Sequence, residues 1–243
     1  MEDKKLIVID CDGVLYPKKE LSTKDILEAV QKAFFKKGIS WKNVNNVYDE
    51  FKMSASQKGL FNFLGVAARE FRLNVVELLK QIAEETDYSH ITPNPKLLSQ
   101  IQELQKKYEV CIYTNNTKYH LEKVHQQLFG CSVAEAGIPA FHIGTIQNKK
   151  GYCSKQSKEA LWFLSKFFAV KPSNMIFFDD TISVLDSVRQ KGASVLFINQ
   201  DFNLSDAMDY IRQIYPTNRV ICRHQRTPFD KVCKQDLFTQ ELY

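Results

Sequence analysis

The stretch LIVIDCDGVLY at residues 6–16 decides how this chain folds. Its first four residues are aliphatic, rich in β-branched side chains and without a helical period, which predicts a strand buried on both faces. Asp10 and Asp12 follow where this strand should end, and Gly13 lets the chain turn sharply away. Ligands of open α/β sheets bind outside the carboxyl ends of the strands, so both aspartates lie where a ligand site is expected. Taken alone, the pair fits an Asp-rich turn as well as a site for Mg²⁺ and a phosphate oxygen.

Length and composition indicate an ordinary globular protein. A chain of 243 residues, 44% hydrophobic and 25% charged, fits one large domain or a core with an inserted subdomain. The apolar run that begins at Leu6 soon meets Asp10, which is too early for a secretory signal, and no run is long enough to span a membrane. The six cysteines contain no C-x-x-C pair and are interpreted as reduced core thiols. These features predict a cytoplasmic protein, with export by a route that needs no standard signal left open.

A basic segment follows the last predicted helix. Residues 212–234 carry six lysines and arginines against one aspartate, an excess of five that equals the formal net charge of +5 of the whole chain. We interpret residues 216–243 as a basic C-terminal tail, either a solvated extension or a surface for anionic lipid or an acidic partner. Nucleic acid is a less suitable partner, because the positive charges are widely spaced and the segment has no recognisable nucleic-acid-binding motif.

Residues 17–91 have the pattern of an all-helical insertion. Five helices are predicted there, at residues 22–38, 41–53, 56–63, 66–71 and 75–85. Ser22 or Thr23 can cap the first of them. Aromatic and flexible apolar residues of the insertion are interpreted mainly as core, with some facing a substrate: Phe51, Met53, Phe61, Phe63 and Phe71.

The rest of the chain, residues 1–16 and 92–215, reads as a catalytic core in which strands alternate with helices. Buried strands are predicted at residues 110–113, 175–178 and 194–198, with a short strand at residues 141–143. This alternation implies a parallel sheet with right-handed crossovers. Two of these strands end in polar residues, at Thr114-Asn115-Asn116 and at Asp179-Asp180-Thr181.

Four motifs in order resemble the haloacid dehalogenase superfamily of aspartyl phosphatases. They are a strand ending D-x-D-G-x-L at residues 10–15, a strand ending at Thr114, a lysine at the start of a helix, and a strand ending in the acidic pair of FFDDT. The resemblance implies an α/β fold, with a Rossmann-like parallel sheet and an all-helical cap inserted between the first and second motifs. The linker between Asn116 and Lys155 is too short for the larger cap type of this superfamily.

The resemblance also implies a role for each motif residue. Asp10 is expected to be the nucleophile that forms an aspartyl-phosphate and also a Mg²⁺ ligand. Asp12 is expected to protonate the leaving oxygen, later to activate water, and to offer its backbone carbonyl to the metal. Thr114 is expected to donate a hydrogen bond to a phosphate oxygen, while backbone amides after Asp10 and near Asn115 complete the phosphate-binding cradle.

The lysine of the third motif has four candidates, namely Lys149, Lys150, Lys155 and Lys158. Lys155 is preferred, because it is predicted to open a helix and precedes Asp180 by 25 residues. Lys158 is the second choice.

The fourth motif leaves its own alternatives open. One of Asp179 and Asp180 is expected to reach the metal, directly or through water, while the other orients ligands. Relatives often carry Asn or Asp five residues after the first acid, where this chain has Val184. Ser183 or Asp186 could substitute for it.

The five histidines (90, 120, 125, 142 and 224) form no zinc constellation and are interpreted as solvated or structural. His120 and His125 are five residues apart on a predicted helix, which is a poor spacing for sharing one metal.

Three functions remain open at this point. The resemblance favours a Mg²⁺-dependent phosphomonoester hydrolase for a small phosphometabolite such as a nucleotide or sugar phosphate. The aromatic-rich insertion would also suit an aryl phosphate, in particular protein phosphotyrosine, in a signalling or host-directed role. The third alternative is a binding module that has kept the fold without catalysis.

Overall fold

The computed structural model describes residues 4–53, 60–148 and 151–215. Within these ranges the chain forms seven strands and ten α-helices, besides short 3-10 turns. In chain order they are β1 (Leu6–Ile9), α1 (Thr23–Lys36), α2 (Trp41–Met53), α3 (Leu60–Glu70), α4 (Val75–Glu85), α5 (Pro95–Gln105), β2 (Glu109–Tyr113), α6 (Lys118–Phe129), α7 (Val133–Ala136), β3 (Ala140–Phe141), β4 (Gln147–Asn148), β5 (Gly151–Tyr152), α8 (Lys158–Phe168), β6 (Met175–Asp179), α9 (Ile182–Arg189), β7 (Ser194–Phe197) and α10 (Leu204–Ile214).

A five-stranded parallel sheet in the order β3-β2-β1-β6-β7 forms the centre of the molecule. The first strand lies in the middle, with Val8 opposite Cys111 on one side and Phe177 on the other. Because side chains alternate along a strand, Leu6 and Val8 pack on the face covered by α8, while Ile7 and Ile9 pack under α5, α6 and α10. The predicted fold class, a Rossmann-like parallel sheet with helices on both faces, is confirmed.

The elements between β1 and α5 are helices with a small core of their own. Alanine and aliphatic side chains of α1, α2, α3 and α4 pack around the buried ring of Phe34, which meets Phe71 edge-on at 5.9 Å between ring centroids. The prediction of separate helices at residues 56–63 and 66–71 is wrong for the described part. A single helix, α3, runs through Gly65, because Leu64, Ala67 and Ala68 bury one continuous stripe that outweighs the low helix propensity of glycine.

Several predictions concern residues outside the described ranges. They are the basic tail at residues 216–243, Lys149, Lys150, His224 and the start of the helix predicted at residues 56–63. The side chains of Phe51, Met53, Phe61 and Phe63 are likewise not described. The predicted boundaries between core, insertion and tail stay predictions. Among the described helices, each is too short or too polar to cross a lipid bilayer.

Candidate active site

The carboxyl ends of the three central strands meet at one edge of the sheet. Ile9 pairs with Ile112 on one side and Phe178 on the other, so the residues that follow these strands become neighbours. The backbone N–H of Asp10 still donates to the carbonyl of Phe178, at 2.9 Å, which fixes where the chain leaves the sheet. Asp10 is 7% exposed and Thr114 only 1%, so both lie on the floor of a depression rather than on the surface.

Lys155 is the buried cation of this site. Its Nζ lies 2.5 Å from Oδ1 of Asp10 and 2.7 Å from Oδ2 of Asp179, and the residue is 2% exposed. Burial opposes the charged form, but Asp10 and Asp179 outweigh it and raise the pKa of Lys155 above its usual value. This ammonium therefore stays charged between the two carboxylates.

The prediction that Lys155 opens a helix is wrong. The helix α8 begins three residues later, at Lys158, because Ser157 is its N-cap and accepts a hydrogen bond from the backbone N–H of Ala160 at 3.1 Å. Lys155 lies in the preceding turn, where its backbone N–H donates to Oδ1 of Asn115 at 2.7 Å. The side chain of Asn115 thus holds the lysine turn, and the phosphate contact predicted near Asn115 depends on its backbone.

Asp10 is strongly influenced by this environment. Burial raises its pKa to about 7, against the opposing charge of Lys155, and the carboxylates of Asp179 and Asp12 add to the rise. The backbone N–H of Cys11 donates to Oδ1 of Asp10 at 2.7 Å, the same oxygen that Lys155 contacts. Among the described residues this leaves Oδ2 of Asp10 without a hydrogen bond.

Asp12 has a different set of partners. Its Oδ1 accepts hydrogen bonds from the hydroxyl of Tyr16, at short range, and from Nε2 of His120 at 2.7 Å. Its Oδ2 accepts a longer bond, 3.3 Å, from the hydroxyl of Thr114. Burial would raise the pKa of Asp12, but the side chain is still 32% exposed, and His120, Tyr16 and Lys155 hold that pKa well below its usual range.

Sequence reasoning overlooked Tyr16 and His120. The interpretation of the histidines as mostly solvated or structural assigned no role to His120, which is 5% exposed and bonded to Asp12. One signal was available, because His120 lies in the first turn of the helix that follows the Thr114 strand and hence near the same sheet edge. The interpretation suits His125, which packs edge-on against Phe129 in the core.

The two carboxylates of the acidic pair form ion pairs with different lysines. Oδ1 of Asp179 accepts from the backbone N–H of Thr181 at 2.9 Å, while Oδ2 faces Lys155. Oδ2 of Asp180 forms an ion pair of 2.5 Å with Lys18. Asp180 approaches the turn at Gly13 so closely that a Cβ atom on that glycine would lie 2.1 Å from Oδ2.

The proposed substitutes for the residue at position 184 do not reach the site. Val184 itself lines the cavity. Ser183 is exposed, and Asp186 pairs with Arg189 at 3.2 Å on the surface of α9. Ser183 and Asp186 lie directly before and directly after the buried pair Val184 and Leu185. The helix therefore turns their side chains away from the sheet edge.

Three carboxylates form a group that fits a divalent cation. Oxygens of Asp10, Asp179 and Asp180 lie within 4.8 Å of one another. Oδ2 of Asp179 is buried, and its partner among the described residues is the ammonium of Lys155 at 2.7 Å. Carboxylate oxygens are hard ligands of the kind that Mg²⁺ prefers.

A second group of side chains has the spacing of a metal site but is chemically less suited to a metal ion. Cys11, Asp12 and His120 also have ligand atoms within 4.8 Å of one another. Burial raises the pKa of the Cys11 thiol, and a protonated thiol is a poor ligand. The metal contact predicted for Asp12 rests on its backbone carbonyl and stays a prediction.

A cavity of about 310 Å³ opens above these residues. Its floor is polar and includes Asp10, Asp12, Thr114 and Lys155. Its opposite wall comes from the helical insertion and is mostly aliphatic, with these side chains: Ile26, Leu64, Leu79, Ile82 and Ala83.

Several solved structures share this arrangement of elements. A hydrolase from Pseudomonas syringae superposes with a TM-score of 0.57 at 13% identity, covering 87% of this chain and 99% of that chain. CbbY from Rhodobacter sphaeroides, in complex with phosphate, superposes with a TM-score of 0.54 at 14% identity, covering 81% of this chain and 86% of that one. A mutant HAD family enzyme from Bacteroides thetaiotaomicron, in complex with magnesium and inorganic phosphate, gives 0.51 at 18% identity, with 81% and 94% covered. At these identities the likeness concerns the fold.

The family of this chain is identified by comparing its sequence with models of protein families. No curated protein matches the chain significantly. The family described as haloacid dehalogenase-like hydrolase, however, matches residues 4–190, which include the three motif strands, the helical insertion and the lysine turn. The chain therefore belongs to the haloacid dehalogenase-like hydrolases.

Proposed function

We propose that this protein is a Mg²⁺-dependent phosphomonoester hydrolase that works through an aspartyl-phosphate on Asp10. The observation that carries the proposal is the division of labour between two carboxylates on one cavity floor. Asp10 has a lysine and a backbone amide on Oδ1 and an unbonded Oδ2, whereas Asp12 lies opposite with its own donors. Two carboxylates in such different surroundings suit different roles in one reaction.

The first half of the reaction forms the covalent intermediate. Oδ2 of Asp10 attacks phosphorus, the bond from phosphorus to the ester oxygen breaks, and Asp12 gives its proton to that leaving oxygen. His120, Tyr16 and Lys155 hold the pKa of Asp12 below its usual range, so this carboxyl group can carry the proton only when the negative charge of a bound phosphate beside it raises that pKa. Lys155 and the hydroxyl of Thr114 offset the negative charge on the phosphoryl oxygens.

The second half returns the enzyme to its starting state. Asp12, now ionised, takes a proton from water, and the resulting hydroxide oxygen bonds to phosphorus as the bond to Asp10 breaks. Phosphate leaves, and Asp12 holds the proton for the next cycle. A Mg²⁺ ion held by Asp10, Asp179 and Asp180 would keep the buried nucleophile ionised and neutralise phosphoryl charge.

The cavity wall bears on the substrate class. Within the described residues the insertion brings mainly aliphatic side chains to the cavity, and Lys18 is its one cation there. The hydroxyls of Thr86 and Tyr88 also line the cavity, but they already bond to the carbonyl of Ile82 and to His120. An aliphatic wall binds a flat apolar group better than a hydroxyl-rich chain, since buried hydroxyls without partners are costly. Among small phosphometabolites this favours a nucleoside monophosphate over a sugar phosphate.

The same wall supports a second candidate, an aryl phosphate such as phosphotyrosine. A phenyl ring would contact Leu79 and Ile82 while its phosphate reached Asp10. The two candidates differ in the ester bond, because a nucleoside monophosphate carries its phosphate on a sugar carbon and phosphotyrosine carries it on a phenol oxygen. A substrate comparison separates them.

The test compares the wild-type protein with Asp10→Asn on four substrates. These are p-nitrophenyl phosphate, a phosphotyrosine peptide, a nucleoside monophosphate and a sugar phosphate, each with Mg²⁺ and with EDTA. Phosphate release by the wild type in Mg²⁺, abolished by Asp10→Asn and by EDTA, is expected, because the amide has no charged oxygen for attack and EDTA removes the metal that would keep Asp10 ionised. Activity retained by Asp10→Asn would contradict the assignment, and a wild type as silent as the variant on all four would favour the binding module. The ranking of kcat/KM between peptide and nucleotide decides between the two candidates.

A further inference from the structure

The carboxylate of Asp12 is held at one of its two oxygens. Oδ1 accepts hydrogen bonds from the hydroxyl of Tyr16 and, at 2.7 Å, from Nε2 of His120. Among the described residues Oδ2 has one partner, the hydroxyl of Thr114 at 3.3 Å, and Thr114 also lines the cavity. A carboxylate fixed in this way presents Oδ2, and not Oδ1, to whatever binds above it.

His120 is itself held by a second tyrosine. The hydroxyl of Tyr88 lies 2.9 Å from Nδ1 of His120, and the two rings are 5.4 Å apart. Because the neutral imidazole has one donor and one acceptor, a Tyr88 hydroxyl that donates to Nδ1 leaves the proton on Nε2, which donates to Asp12. Tyr16, His120 and Tyr88 are each at most 8% exposed, so water has little access to the groups that donate these bonds.

The two tyrosines come from the two connections between the sheet and the helical insertion. Tyr16 lies in the segment from β1 to α1, and Tyr88 lies in the segment from α4 to α5. His120 belongs to α6 of the core and stands between Tyr88 and Asp12. Both connections therefore reach the same oxygen, one directly and one through the histidine.

We propose that Tyr16, His120 and Tyr88 are positioning residues that aim Oδ2 of Asp12 at the leaving-group oxygen. This inference rests on the proposed function, in which Asp12 protonates that oxygen. It assigns to the histidine and the two tyrosines no contact with the substrate. Their loss should weaken proton donation while nucleophilic attack by Asp10 persists.

Proton donation to the leaving oxygen matters most when the leaving group is a strong base. The test therefore compares the loss of activity on two substrates whose leaving groups differ in basicity. Phenyl phosphate and p-nitrophenyl phosphate share one ring, but phenolate is the more basic leaving group and needs the proton more. His120→Leu removes the donor to Asp12, His120→Gln restores an N–H at a similar distance, and Tyr88→Phe removes one hydroxyl. His125→Leu serves as the control, because His125 is equally buried on the same helix and makes no hydrogen bond within the described residues.

We expect His120→Leu to lower kcat on phenyl phosphate by about 10²-fold, the lower range for a general acid, with a several-fold smaller loss on p-nitrophenyl phosphate and little change in KM. Tyr88→Phe should show the same preference more weakly, and His120→Gln should recover part of the loss. Equal losses on both substrates, or the same pattern in His125→Leu, would show a merely structural role and overturn the assignment. If His120→Leu does not fold by circular dichroism, Tyr88→Phe decides on the same criterion. A wild type that is inactive on both esters and on the nucleoside monophosphate and sugar phosphate named above would overturn the proposed function and this assignment with it.

Discussion

At the scale of single residues, Gly13 combines two demands that only glycine meets. Its φ of +80° lies in the left-handed region, and the site of a Cβ atom is already occupied by the carboxylate of Asp180. The residue therefore sets both the direction of the chain and the position of a proposed metal ligand.

Gly13→Ala should separate these two effects. We expect a loss of about 1–2 kcal/mol in the free energy of unfolding from the positive φ, and in addition a large loss of Mg²⁺ affinity and turnover, because Asp180 must move. Urea denaturation measures the first, and Mg²⁺ titration of activity measures the second.

Gly130→Ala is the matched control for this change. Gly130 has a φ of +72° at the end of α6, but nothing lies within 4 Å of its Cβ position. This variant should lose similar stability and keep its Mg²⁺ dependence. Equal Mg²⁺ affinity in both variants would contradict the proposed role of the close approach.

Some contacts between single residues of the site could be predicted from the sequence, and others could not. Asp10, Thr114 and Asp179 could be placed near one another, because each follows a strand and parallel strands end at one edge. His120 could not be paired with Asp12 from pattern alone, since 108 residues separate them and the bond depends on side-chain rotamers. Cooperation of this kind between distant side chains leaves no periodic signal.

At the scale of elements, α6 carries a buried histidine that costs stability in acid. Burial lowers the pKa of His125 to about 4, below the ordinary value near 6.5 of the unfolded chain. The unfolded state therefore binds more protons between these two values. Stability from this residue is intact above about pH 6.5 and is lost as the pH falls toward 4.

We expect wild type and His125→Leu to diverge in their pH dependence of stability. Between pH 7 and 4.5 the wild type should lose about 2–3 kcal/mol more than the variant, which no longer has this group to protonate. The comparison isolates His125, because Asp10 and His142 titrate in both proteins. Denaturant midpoints at the two pH values provide the measurement, and parallel curves would contradict the prediction.

Element boundaries were less predictable than element types. The strands were found because they are continuous apolar runs, and β2, β6 and β7 each match within a residue at either end. The start of α8 was predicted three residues too early, because the helix begins after the cap at Ser157 and a pattern of apolar residues does not show which residue caps it. In α3 the break predicted between residues 63 and 66 is absent, because the buried stripe continues through Gly65.

At the scale of the whole molecule, the site carries an unbalanced charge. Four carboxylates, at Asp10, Asp12, Asp179 and Asp180, face two ammonium groups, at Lys18 and Lys155, which leaves two negative charges when all are ionised. Their mutual repulsion opposes folding, and a divalent cation would cancel it.

Mg²⁺ should therefore stabilise the folded protein even without substrate. At a concentration about 100 times Kd we expect Tm to rise by roughly 5–10 °C, and EDTA should reverse the rise. Asp180→Asn should reduce the shift, because it removes a carboxylate from the cluster. Asp186→Asn, on the exposed side of α9, should leave it unchanged. A Tm that ignores Mg²⁺, or one that Asp186→Asn alters as much as Asp180→Asn, would contradict the proposed site.

The chain leaves the core and returns to it at one point. The carboxylate of Glu20, before α1, accepts hydrogen bonds from both the backbone N–H of Thr92, at 3.0 Å, and its hydroxyl, at 3.2 Å. These two bonds join the two ends of the helical insertion, and Tyr88 ties the same insertion to His120 of α6. A different set of helices joined between Glu20 and Thr92 would bring a new wall to the cavity. Such a replacement would also need a hydroxyl group at the place of Tyr88, because that contact with the core belongs to the exchanged segment.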